Sequence, residues 1–187
     1  MAAVAAMVVR AMPHDALDPP PVALLDDPLA YFLAAHHLQR VVCQRLHGFA
    51  AALRVSRKEA GRVSAYLTED LALHHEDEDL DLYPALRRRA VPADGLGPTL
   101  ARLGREHHQG LATAAQIAGA LAVSPAEAEV VLDAGAAAAM QDYAASELRH
   151  LAIENAVVLA LARIRLKRPD LLAISRNMKA RRGIKAP

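Results

Sequence analysis

The chain has 187 residues, enough for one domain with tails and a sizeable core. Lys and Arg number 22 against 21 Asp and Glu, a balance that argues against nucleic acid as the main partner, which asks for a basic face. Hydrophobic residues reach 53% while aromatics make only 3%, so alanine-rich helices in close packing are the expected fabric.

Cys43 is the single cysteine, which rules out an internal disulfide and suits a reducing cytosol. The apolar opening over residues 1–9 has no basic stretch before it and is cut by Arg10, so it does not read as a secretory signal. Met7 and Met12 are alternative starts. No run reaches the ~18–20 apolar residues that a membrane span needs. Residues 1–26 read as a loose leader, with Asp18-Pro19-Pro20-Pro21 barred from helix.

Asp27 followed by Pro28 predicts a helix start, and the first helix runs to about Leu53. Its seam holds Leu29, Phe32, His36, Cys43, Leu46, Ala50 and Leu53, with His37 off it. Ser56 with Glu59 forms a capping box for a second helix reaching about Ala90. Val63, Leu67, Leu71, His74, Glu78 and Leu82 share its inner face. His75, Glu76, Asp77, Asp79 and Asp81 fall elsewhere and read as a solvated acidic face, and Pro84 predicts a kink or an early end. After the Pro92–Pro98 loop, a third helix to about Ala122 puts Leu96, Leu100, Leu103, His107 and Ile117 on its seam. Ser124-Pro125 and Gly135 predict a short separate helix over 125–133. The fourth long helix comes next, with Met140, Tyr143, Glu147, His150, Glu154, Val157, Leu161 and Ile164 facing inward. Residues 27–168 make the domain, and 169–187 read as a mobile basic tail.

Among the polar residues on these apolar seams, which include Gln39 and Glu147, six stand at one level: His36, His74, Glu78, His107, His150 and Glu154. His74 with Glu78, and His150 with Glu154, are four residues apart, so each pair points the same way from one helix. In an antiparallel bundle, residues equidistant from a connecting turn lie at one height. His36 and His74 flank the turn near 54–57 equally, Glu78 and His107 the turn near 90–95, and His107 and His150 the connection over 122–136. A lone seam histidine is ordinarily a satisfied core residue, but a buried unpaired carboxylate is costly. Two such carboxylates level with four histidines point to metal. That set exceeds one tetrahedral zinc. It suits two ions bridged by carboxylates, with iron favoured and Mn or Zn as alternatives.

The stretches Asp27–His36, His74–Pro84, Arg105-Glu106-His107 and Arg149–Leu159 resemble the hemerythrin-like, HHE cation-binding proteins, over about residues 26–166. The resemblance implies an all-α, up-and-down antiparallel four-helix bundle with a non-haem di-iron centre. It implies His36, His74, His107 and His150 as terminal ligands, with Glu78 and Glu154 bridging. Oxygen-carrying hemerythrins resemble this pattern but add a fifth histidine and an aspartate. Leu111 stands where a histidine four residues after His107 would be, which makes reversible oxygen storage the weaker expectation. The domain also resembles that of iron–sulfur cluster repair proteins, without their cysteine-bearing N-terminal domain.

The leading expectation is a cytoplasmic protein that binds or senses iron, oxygen, nitric oxide or peroxide, the partner being that small molecule and not nucleic acid or membrane. Whether it is an enzyme stays open. The alternatives are an enzyme of the same fold that decomposes peroxide or nitric oxide, with Glu147 as its acid, or a metal-free structural bundle. Glu147 is an extra ligand, a support for a ligand imidazole or an edge residue; Tyr143 packs or gates. Cys43, roughly 10 Å along the helix from His36, is core. Oligomerisation is left open.

Overall fold

The structure is a computed structural model and describes residues 17–122 and 127–184. The leader before residue 17 and the Ser124-Pro125 signal lie outside the described residues. The chain forms an all-α up-and-down bundle. Asp18–Pro21 stays non-helical, and the short turn Val22–Asp26 inserts Leu25 into the core. Helix α1 is Pro28–Ala52, started by the Asp27 side chain, which accepts from the Ala30 N–H at 3.2 Å. It ends where Leu53 takes a left-handed backbone, φ 55°. That turn swings Leu53 off the seam into solvent.

Helix α2 spans 57–89, capped by Ser56, whose hydroxyl accepts from the Glu59 N–H at 3.3 Å. Two wide turns interrupt its regular pitch, Tyr66–Asp70 and Glu78–Leu82. Pro84 does not end the helix early. A proline needs room at the carbonyl four residues back, here Leu80. Leu80 lies inside the second wide turn, and the helix continues as Tyr83–Arg89. After the Pro92–Asp94 turn, α3 runs Leu96–Ala120. Helix α4 spans 134–165, capped by Asp133, with one wide turn at Glu154–Val158. Helix α5 is Arg168–Arg181.

Three expectations need correction. The short helix over 125–133 is not there in the described part: Glu129–Val131 is a strand, β2, paired antiparallel with β1 (Arg54–Ser56). Two β-branched residues in a row favour extended backbone. Val130 opposite Val55 is buried while Val131 faces solvent, the alternation of a strand. The tail is a helix for most of its length, because Ile174 and Met178 fill the core and its arginines meet buried acids on α2. The inner face of α4 shifts by one residue after Glu154. Val158, Leu159 and Ala162 are buried, whereas Val157 and Ile164 are exposed. A wide turn holds one extra residue, which rotates the remainder of the helix by about 100°.

Helix α1 packs on α4, α3 lies against α2 and α4, and α5 crosses α1 and α2. The apolar core falls into two clusters. One holds Leu46, Phe49, Val63, Leu71, Ile117 and Met140; the other holds Phe32, Leu82, Leu86, Leu103, Leu159 and Met178. On each long helix the seam histidine falls where one cluster gives way to the other. Among the described residues, no helix is long and apolar enough to cross a membrane.

Candidate metal centre

Each of the four long helices delivers at least one seam residue to one point. His36 comes from α1, His74 and Glu78 from α2, His107 from α3, and His150 and Glu154 from α4. None is more than 5% exposed. The Nε2 atom of His36 lies 3.2 Å from Glu78 Oε1 and 3.4 Å from Glu154 Oε2. Glu78 Oε2 faces His74 at 3.6 Å and His107 at 3.4 Å. Glu154 Oε1 faces His150 at 3.3 Å and His107 at 3.7 Å. The donor atoms gather into two groups, His36 with His74, Glu78 and Glu154, and His107 with His150 and Glu154. All six sequence candidates are therefore together.

The donor set fits cations. Glu78 Oε2 and Glu154 Oε2 are buried with no hydrogen-bond partner among the described residues. Two carboxylates with orphaned oxygens and inward imidazole nitrogens are a costly arrangement unless positive charge is supplied.

The family model for the hemerythrin HHE cation binding domain matches residues 27–162. The chain belongs to that family. No curated protein and no solved structure matches it.

Around the six candidates, this hemerythrin HHE domain holds a supporting ring that the seam pattern does not reveal. His107 Nδ1 bonds Asp79 at 3.0 Å, His150 Nδ1 bonds Glu106 at 2.8 Å, and His36 Nδ1 meets Asn155 Oδ1 at 3.2 Å. Ionised carboxylates only accept, so on His107 and His150 the outer nitrogen donates and Nε2 is directed inward. Asn155 is oriented by its own donation to the Leu151 carbonyl at 2.7 Å. The Tyr83 hydroxyl donates to Glu154 Oε1 at 2.5 Å. These partners sit beside or one turn from seam residues and reach across to a neighbouring helix. The one local signal is a carboxylate or amide adjacent to a seam residue, as in Glu106-His107 and Glu154-Asn155.

The acidic stretch on α2 is not a solvated face. Glu76 is exposed, but Asp77 and Asp81 are buried. Asp77 accepts from Arg181 and, in a bidentate contact at 3.1 and 2.7 Å, from Arg182. Asp81 accepts from Arg181 at 2.5 Å and Asn177 at 2.6 Å. His75 is buried too, because the wide turns rotate α2 and bring its ring 4.0 Å from that of His107, stacked at 11°. Neither His75 nitrogen has a partner among the described residues. Glu147 is buried, and it accepts from Gln39 Nε2 at 2.5 Å, not from a ligand imidazole. Cys43 is plain core, its thiol pushed up to about 12 by burial.

Two glycines on α3 make room for this ring. A Cβ at Gly104 would stand 3.2 Å from Asp79 Oδ1, and one at Gly110 3.1 Å from Glu147 Oε1.

Protons hold the charges of the metal-free site in balance. Burial alone would lower His107, but its hydrogen bond to Asp79 and the nearby carboxylates of Glu154 and Glu78 outweigh it and carry it up to about 10. Burial is likewise outweighed at His150, which Glu154 carries to about 9. Burial and the nearby Glu154 charge raise Glu78 to about 7. For Glu154, burial is overcome by its bonds from His107 and His150, and it is held well below the usual carboxylate range. Burial pushes His74 and His75 far down, so both are neutral.

Proposed function

We propose that this bundle binds two non-haem iron ions at a His4Glu2 centre and uses them to bind or sense a small molecule, namely oxygen, nitric oxide or peroxide. One ion would be held by His36 and His74, the other by His107 and His150, with Glu78 and Glu154 shared between them. The observation that carries this is the division of Glu154. Its Oε2 faces His36 while its Oε1 faces His150 and His107. Imidazole mixed with carboxylate suits iron among common metals, with Mn or Zn next. Side chains buried this deeply favour small ligands, and bound iron would supply coordination and redox chemistry. The cytoplasm is the proposed compartment, on the single buried thiol.

The test is metal content and an optical spectrum of protein purified from iron-supplied cells. About two irons per chain, as bundle di-iron sites hold, with bands that respond to oxygen, nitric oxide or peroxide, is the expected result. Zinc alone, or an unresponsive ion, would leave a structural site. No metal after anaerobic reconstitution with ferrous iron would overturn the proposal.

The enzymatic alternative has one observation in its favour: Glu147 is a buried carboxyl whose affinity for a proton is raised by burial. Loaded protein that consumes peroxide or nitric oxide catalytically, with the rate lost in Glu147→Gln, would establish it.

A further inference from the structure

A groove of about 370 Å³ opens between α3 and α4, lined by Glu106, Gly110, Asp142, Tyr143, Ser146 and Glu147, among others. Three of these are carboxylates, and no lysine or arginine lines it. Asp142 is exposed at the rim, whereas Tyr143 and Glu147 are nine-tenths buried. Two polar atoms here lack a partner among the described residues. They are the buried hydroxyl of Tyr143, a lining residue, and Gln39 Oε1, whose side chain does not line the groove but donates to Glu147. Gly110 keeps the floor open, since any Cβ there presses on Glu147.

We infer that this groove is the loading path by which a hydrated divalent cation reaches the histidine–carboxylate centre. The inference rests on the metal-binding function proposed above. A hydrated dication is surrounded by O–H donors, and the groove offers acceptors: the carboxylates of Glu106, Asp142 and Glu147. An anion meets only repulsion there. A neutral diatomic molecule has no use for three carboxylates. Among the described residues, only the two central groups gather three or more ligand atoms within 4.8 Å of one another. The groove therefore holds the ion loosely, with its water shell on, which suits passage and not storage. The floor adjoins the centre. Glu147 is one helical turn before His150 on α4, where side chains are about 5–6 Å apart at Cβ. Glu106, on the rim, bonds His150 Nδ1.

A path changes rates without changing the end state, so loading and release slow together. The test is stopped-flow mixing of the folded, metal-free protein with Co2+, whose d–d absorption reports arrival at the centre, followed by release to a chelator. Asp142→Asn, at an exposed position, and Glu147→Gln should each slow loading by about three- to tenfold at low salt. For Asp142→Asn release should slow by the same factor, so the dissociation constant and final amplitude stay at wild-type values. The Asp142→Asn effect should shrink with added salt. Glu69→Gln, an equal charge change at an exposed site outside the groove, should load as wild type does. Unchanged loading rates in both groove variants would overturn the inference. So would a weakened dissociation constant with unchanged loading in Glu147→Gln, which would make Glu147 a ligand. Wild-type protein that takes up no Co2+ would instead overturn the metal centre itself.

Discussion

Asp79 and Glu106 do for His107 and His150 what the helices cannot: they fix which nitrogen carries the proton. Removing such a partner typically weakens metal binding about 10–100-fold. Asp79→Asn and Glu106→Gln should fall in that range in a competition titration against a chelator of known affinity. Gly104→Ala should act in the same direction, because its Cβ would displace the Asp79 carboxylate. Protons and metal compete for these groups. Folded-state values of about 7 for Glu78, about 10 for His107 and about 9 for His150 all lie above their ordinary 4.5 and 6.5. Each raised group contributes stability that is complete below its ordinary value and lost as pH rises through its folded one. Metal-free protein should therefore lose thermal stability between about pH 6 and about pH 9, while metal affinity grows as the displaced protons leave more readily. Scanning calorimetry of the metal-free and loaded forms should show the gap between them widening over that range. A gap that narrows would contradict the assignment.

The three wide turns determine how α2 and α4 present their residues. Two of them begin at Glu78 and Glu154, the two carboxylates of the centre. In α4 the extra residue puts Val158, Leu159 and Ala162 inside. Deleting Val157 should restore regular pitch with the same three residues buried, and cost under about 1 kcal/mol in urea unfolding, as exposed sites usually do. Inserting an alanine in the same turn would rotate those three out, with a loss of several kcal/mol of core burial by ordinary transfer values. The six candidates are readable in the sequence, since His36, His74, Glu78, His107, His150 and Glu154 lie on apolar seams of 3-4 spacing and all six meet, and on α4 the seam holds up to Glu154. Beyond Glu154 the pattern misleads, because hydrophobic spacing carries no mark of a wide turn. The same blindness hid His75. Asp77 and Asp81 were misread for another reason: their charge is balanced by arginines about a hundred positions away, which periodicity cannot see. Val130 and Val131 needed a partner strand, also distant in the chain, to show themselves as β.

At the scale of the whole molecule, α5 closes the bundle over the acids next to the centre. Asp77 is fully buried and directly precedes Glu78, and Arg181 and Arg182 neutralise it. Removing both arginines leaves a buried charge unpaired, a loss of about 3–5 kcal/mol. Arg181→Ala with Arg182→Ala should show that loss in urea unfolding, and adding Asp77→Asn should recover part of it. A double variant as stable as the parent would mean that α5 is merely draped on the surface. The pairing also has a consequence for how the protein is made. Asp77 leaves the ribosome 104 and 105 positions ahead of its partners. At about 5–20 residues per second that is roughly 5–20 seconds of translation. Every proposed ligand, from His36 to Glu154, has been synthesised before the arginines arrive, yet the acid beside Glu78 still lacks its counter-charge. A nascent chain released early would carry the full set of ligands on an unfinished scaffold, and protein quality control would see it as unfolded.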